Sequence, residues 1–150
     1  MKVLLVSSSG GHLTQLMCLK PWWAEHERMW VTFDTTDAVS KLEGEDVVWA
    51  HHPTTRNLTN LARNTRLARR TLDRFRPDVV ISTGAGVAVP FFWLARGYSA
   101  ATIYLEVFDR IDSPTLTGRL CRPRTDLFLT QWPEQQEFYP SSVLLGQVWA

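Results

Sequence analysis

The sequence predicts an α/β fold in which helices cover a parallel sheet, and three observations carry that expectation. Short apolar runs rich in valine and isoleucine recur along the chain, helical or polar segments separate them, and glycine-rich or polar loops follow several of them. Strands buried on both faces read as continuous apolar runs, whereas a half-exposed strand alternates.

The first run is VLLV, residues 3–6, and the glycines behind it close a turn into a helix over residues 12–20. Pro21 bends or restarts that helix before Trp22 and Trp23. Strands are expected at residues 29–33 and 47–50, with a polar segment of unassigned structure between them. Residues 57–75 give the clearest helix. Leu58, Leu61, Ala62, Thr65, Ala68, Leu72 and Phe75 recur at the helical period, and Arg63, Arg66, Arg70 and Arg74 take the opposite face. Pro77 ends it. A strand at 79–81, an apolar helix at 91–95, a strand at 102–107, a polar helix at 115–120 and strands at 127–130 and 143–145 complete the order.

A chain of 150 residues fits a single domain spanning residues 1–150, with 45% apolar and 21% charged residues excluding a disordered chain. The longest apolar stretch, VAVPFFWLA at residues 87–95, is too short for a membrane crossing, which needs about 20 residues. The N-terminus lacks the apolar core of a signal peptide. Cys18 and Cys121 form no metal-binding or redox motif, and His51-His52 has no nearby companions with ligand spacing. Neither a metal nor a cofactor is expected, and cytosolic thiols are. The net charge of +1 is unevenly distributed: Asp73 is the only acid among the basic residues between Arg56 and Arg76.

Ligands of open parallel sheets bind beyond the carboxyl ends of the strands, and three loops here fall at such ends. The first is SSSGGHLTQL, residues 7–16. Ser9, Gly10 and Gly11 suit a phosphate or carboxylate approaching a helix start, and His12 could accept a proton from a hydroxyl. A bare glycine turn with an incidental histidine is the competing reading. The spacing matches neither dinucleotide nor P-loop fingerprints. In the second loop, STGAGVAVP, Thr83 and Gly84 suit ligand contact, whereas Gly86 suits close helix packing. The third contains Glu106, a carboxylate inside the apolar run YLEV, with Asp109 and Arg110 beyond. Either an ion pair shapes that loop, or Glu106 binds an acceptor hydroxyl or orients His12.

The arginine helix suits anionic lipid headgroups, an acidic partner, or simple solvation; it lacks the aromatic platforms of nucleic-acid binding. Trp22, Trp23, Phe91, Phe92 and Trp93 carry more aromatic area than a small domain readily hides, which points to a membrane or partner contact.

Four segments in this order, SSSGGHLTQL, RPDVVISTGAG, YLEVFDRIDSPTLTGRL and DLFLTQWPEQQEFYP, make the chain similar to bacterial relatives of asparagine-linked-glycosylation protein fourteen, a family of polysaccharide biosynthesis. The resemblance implies a Rossmann-like sheet equivalent to the N-terminal, acceptor-binding half of a GT-B glycosyltransferase. It also implies a partner resembling protein thirteen of the same pathway, which holds most of a UDP-sugar, and a lipid-linked saccharide acceptor. His12 would match the general base of the related single-chain transferases, Glu106 an acceptor-contacting acid, and Arg110 and Thr117 residues of the adjoining motif. The family's membrane helix precedes the first strand in eukaryotic members. Here association would rest on the tryptophans, the Phe-Phe-Trp run and the arginines, at the inner leaflet of the cytoplasmic membrane.

The leading expectation is therefore the acceptor-binding subunit of an inverting transferase, inactive alone. The alternative is a non-catalytic membrane anchor that activates a complete partner. A free-standing flavodoxin-like domain is a third reading, motivated only by the serine-rich first loop.

Overall fold

A computed structural model describes residues 1–148. Seven strands form one parallel sheet: β1 (Lys2–Ser7), β2 (Glu27–Thr32), β3 (Val47–Trp49), β4 (Val79–Gly84), β5 (Ala101–Leu105), β6 (Leu127–Thr130) and β7 (Val143–Leu144). Their order across the sheet is β3-β2-β1-β4-β5-β6-β7, and every pairing is parallel. The central strands β1 and β4 are buried along almost their whole lengths, which is why their sequences do not alternate.

Helices α1 (Gly11–Cys18), α2 (Lys20–Trp23) and α3 (Thr36–Lys41) cover one face, where Leu13, Leu16, Trp23 and Ala38 pack on Val3, Leu5 and Trp30. Helices α4 (Leu58–Phe75) and α5 (Ala88–Ala95) cover the other, joined by α6 (Leu116–Cys121); the four-residue α7 (Gln135–Phe138) precedes β7. The strand order reverses direction between β1 and β4, so the loops leaving these two strands flank a switch-point crevice.

The predicted rhythm is present, with three differences. The polar segment after β2 is α3, capped by the Thr35 side chain, which accepts from Ala38 N. The strand β4 runs on through Thr83 and Gly84, because it pairs with Ser7 across a register shift. The third difference concerns α4. Its buried face contains Asn60, Asn64, Ala68, Thr71, Leu72 and Phe75, whereas Leu58 and Leu61 are exposed, as are Ala62 and Thr65. Hydrogen bonding overrides apolarity in the first turns. Asn60 Nδ2 donates to Pro53 O at 2.8 Å, and the Asn64 amide both accepts from His51 N at 2.8 Å and donates to His51 O at 2.9 Å. The helix therefore rotates its asparagines inward and leaves two leucines beside the arginines.

Candidate functional site

The switch-point crevice is built around a reciprocal clamp. His12 Nδ1 lies 2.8 Å from Thr83 O, while Thr83 Oγ1 donates to His12 O at 2.7 Å. A carbonyl oxygen only accepts, so Nδ1 carries a proton and Nε2 is the nitrogen left to accept one. Gly84 passes beneath the ring at φ +116°, and a Cβ there would sit 2.9 Å from Tyr104 Oη and 3.3 Å from His12 Cε1. Only glycine fits this position. Gly10, at φ 75°, gives α1 no side-chain cap, which leaves the first-turn N–H groups to meet an anionic group or water.

Thr83 and Gly84 are fully buried, so the expectation that they touch a ligand is corrected: they brace His12 from below. Gly10 and Gly11 are exposed, and Ser9 and His12 are half-buried at the rim. Under them lies Tyr104, whose hydroxyl is buried without a hydrogen-bond partner among the described residues, as are the hydroxyls of Ser7 and Thr32. Burial, reinforced by the nearby Glu106 carboxylate, pushes the Tyr104 phenol well above its ordinary value and keeps it a neutral donor. No spacing rule marks Tyr104, because only pairing beside Ser82 brings it under the histidine.

Glu106 corrects a second expectation. It follows β5 with no exposed surface, and its oxygens accept from Val107 N at 3.0 Å, Thr115 N at 3.3 Å, Thr115 Oγ1 at 3.0 and 3.1 Å, and Tyr139 Oη at 2.5 Å. Thr115 Oγ1 in turn caps α6 by accepting from Gly118 N. A Cβ on Gly118 would lie 2.5 Å from both Glu106 Oε2 and Tyr139 Oη, so that glycine lets the helix start sit on the carboxylate. A buried carboxylate is tolerated when saturated in this way. Glu106 therefore neither reaches an acceptor nor orients His12; it ties the 106–115 loop to α6 and to the segment before β7. Burial and its hydrogen bond to Glu106 drive the Tyr139 phenol far up, and burial drives the Cys121 thiol to about 12.

A glutamine network continues this bracing. Gln131 Nε2 donates to Gln15 Oε1 on α1 at 2.6 Å and to Glu106 O at 3.0 Å, and Gln135 Nε2 donates to Val107 O and Arg110 O. Arg110 itself is exposed and Thr117 half-buried; no hydrogen bond or ion pair joins either side chain to His12. Among the described residues no group of three or more His, Cys, Asp or Glu could hold a metal.

The expected membrane aromatics separate. Trp23 is core, donating to Leu16 O and meeting Trp30 edge-on, and Phe91 and Phe92 are fully buried under the sheet. Trp22 is half-buried against His26. Large apolar surface in core positions is what the sheet face demands, so Trp23, Phe91 and Phe92 form no outward contact. Trp93 alone of the five is exposed, fixed by its indole bond to Leu120 O and by Arg124 stacked 4.5 Å from its ring. Beside it stand exposed Leu116 and Leu120 on α6, and α4 presents Leu58 and Leu61 next to exposed Arg63, Arg66, Arg70 and Arg74. No helix among the described residues is long and apolar enough to cross a membrane.

A family described as oligosaccharide biosynthesis protein Alg14 like matches residues 54–148, well over half of the chain. The chain belongs to the Alg14-like family. The mouse UDP-N-acetylglucosamine transferase subunit ALG14 is 32% identical over 81 residues, which are 50% of this chain and 37% of that protein. Its counterpart from Schizosaccharomyces pombe is 34% identical over 77 residues, 48% of this chain and 37% of that protein. The Alg14-like chain thus spans well under half the length of these relatives.

Among solved structures, MurG of Acinetobacter baumannii superposes with a TM-score of 0.73 at 15% identity, covering 88% of this chain and 41% of that one. The UDP-N-acetylglucosamine 2-epimerase of Rickettsia bellii gives 0.73 at 12% identity, covering 99% and 43%. Both likenesses are of fold, and they bear out the Rossmann-like half of a GT-B architecture. Within this Alg14-like chain the matched segment contains the Glu106 network, the STGAG loop and α4, whereas the His12 loop precedes it.

Proposed function

We propose that this Alg14-like chain is a membrane-contacting, non-catalytic subunit that localises and activates a glycosyltransferase partner carrying the UDP-sugar site. The partner would resemble protein thirteen of the asparagine-linked-glycosylation pathway, and the acceptor would be a lipid-linked saccharide of bacterial polysaccharide synthesis at the inner leaflet. The observation that carries the reading is the fate of the carboxylate. With Glu106 bonded to Tyr139 and Thr115 inside the fold, the carboxylate that the sequence offers as a companion of His12 is already occupied. The names of the relatives, subunits of a UDP-N-acetylglucosamine transferase, support partner dependence.

Membrane contact would come from the α4–α5–α6 face, where Trp93, Leu116, Leu120, Leu58 and Leu61 are exposed beside a row of arginines. Apolar side chains embed in the interface while each arginine near an anionic surface adds about 1 kcal/mol. The test co-expresses chain and partner and measures sugar transfer to a water-soluble acceptor and to an acceptor in anionic vesicles. The partner alone is expected to act on the soluble acceptor, and to need this chain on vesicles. Arg66→Glu with Arg70→Glu is expected to weaken vesicle binding at least tenfold. A partner that is inactive on both acceptors without this chain would reject the anchor reading.

One observation favours a second reading, in which the chain also takes part in transfer. The Nδ1–H bond to Thr83 leaves His12 Nε2 as a free lone pair at the crevice rim. That atom could accept the proton of an acceptor hydroxyl as it attacks the anomeric carbon, with the leaving UDP held by the partner.

A further inference from the structure

A cavity of about 390 Å³ opens at the β2–β3 end of the same sheet edge, lined by Asp34, Trp49, His51, His52, Asn60 and Arg63 along with Ala50. We infer that it is a saccharide subsite, taking one pyranose ring of an acceptor glycan whose non-reducing end lies toward His12. This deepens the second reading above and rests on it only for the direction of the glycan.

The volume falls within the range of small-molecule sites. Trp49, on the edge strand and 38% exposed, supplies an apolar wall against which a sugar's C–H face can lie. The opposite groups are planar and mixed in sign. Asp34 Oδ1 lies 3.0 Å from His52 Nε2, the His52 ring leans on Phe33 with centroids 5.0 Å apart, and Arg63 Nη1 reaches Asn60 Oδ1 at 3.5 Å. Hydroxyls both donate and accept, so they match a lining that offers a carboxylate and an amide beside a guanidinium and imidazoles. A phosphate only accepts, and would meet Asp34 as a like charge.

The fold spends helix stability to hold this lining in place. Asparagine is a poor interior helix residue, yet Asn60 and Asn64 are buried in α4 with their amides on Pro53 and His51. The loop they hold is continuous with the crevice: a Cβ on Gly86 would lie 3.1 Å from Thr54 Cβ, and Gly84, two residues earlier, floors His12. The loop beside the cavity therefore touches the same STGAG segment that floors the histidine.

The experiment titrates the full chain, labelled with ¹⁵N and ¹³C, against methyl β-glucoside, methyl N-acetyl-β-glucosaminide, methyl β-glucuronide and, separately, inorganic pyrophosphate. At least one glycoside is expected to shift the Trp49 indole and the His51 and His52 ring signals saturably, with Kd on the order of 1–10 mM as befits so small a ligand. Trp49→Ala should weaken that binding at least tenfold, and so should Arg63→Ala, a surface change that keeps the strand intact. Absence of saturable shifts with every glycoside overturns the subsite. Shifts with pyrophosphate alone also overturn it, as does binding indifferent to both substitutions. The transfer assay is independent: glycoside binding with no partner-dependent transfer sinks the transferase reading and leaves the subsite standing, whereas the reverse result sinks the subsite alone.

Discussion

On the β5–β6 side of the crevice, Glu106, Thr115, Tyr139, Gln131 and Gln135 direct nearly all their polar atoms at one another or at backbone. On the β1–β4 side, one clamp holds His12, Gly10 leaves a helix start uncapped, and the hydroxyls of Ser7 and Tyr104 lie buried with no hydrogen-bond partner among the described residues. Both sides place polar residues at strand ends, so position alone does not identify function. What separates them is whether the hydrogen-bonding capacity is already used. A saturated group fixes the shape of a loop, whereas the half-buried His12 Nε2 and the uncapped helix start at exposed Gly10 are open to a ligand.

The sharpest way to break the comparison is Glu106→Ala. It removes the acceptor of the Tyr139 and Thr115 hydroxyls and opens a hole under Gly118, and the expected loss is about 3–5 kcal/mol, read from the urea midpoint. Glu106→Gln preserves shape but turns an amide N–H₂ toward at least one donor, with about half that loss expected. If Glu106→Gln left stability unchanged yet abolished assembled activity, the carboxylate would belong to the open side after all.

Gly84→Ala probes the other side through packing. Its φ of +116° and the 2.9 Å approach to Tyr104 Oη together predict a loss of about 2–4 kcal/mol, with the His12 ring signals displaced. An unshifted His12 signal would mean that the clamp does not depend on the floor.

Alkaline pH probes both sides by titration. Tyr139, Tyr104 and Cys121 are all raised by burial, so above about pH 9–10 the unfolded chain loses protons that the native chain keeps. Fewer protons on the unfolded state means that stability falls as pH rises. Each such group contributes a slope of about 1.4 kcal/mol per pH unit, lost for Cys121 until pH passes its native value of about 12. Tyr139→Phe should lower neutral stability by about 1.5–3 kcal/mol and flatten the alkaline slope by one group's share. An unchanged slope would mean that Tyr139 ionises in the native state.

Most of the fold was legible because parallel strands buried on both faces announce themselves as apolar runs, as β1 and β4 do. The misreadings share a cause. Apolar periodicity placed Leu58 and Leu61 inward, but two asparagines bonded to the backbone of the loop just before the helix, at Pro53 and His51, took the buried face of α4. The Phe-Phe-Trp run looked like surface because composition cannot tell that two of its rings fill the space beneath Tyr104 and its neighbours. His12 was legible as a candidate from its glycines. Its tautomer was not, since that depends on Thr83, 71 residues away. Glu106 was recognisable as anomalous in an apolar strand, while its saturation depends on Tyr139, which no local pattern connects to it.

The smallest expected change in stability is the most informative about chemistry. His12→Asn keeps an N–H donor able to reach Thr83 O and removes the basic Nε2, so the half-buried site should lose no more than about 0.5–1.5 kcal/mol. Replacement by alanine sacrifices the clamp and serves as the structural reference. With the partner present and acceptor in vesicles, the anchor reading expects His12→Asn to keep transfer within a few-fold of the unsubstituted chain. Proton acceptance at Nε2 expects a fall of about 10²–10⁴-fold in kcat with KM for the acceptor little changed. A fall confined to KM would place His12 in binding, on the open side of the crevice but outside the chemical step.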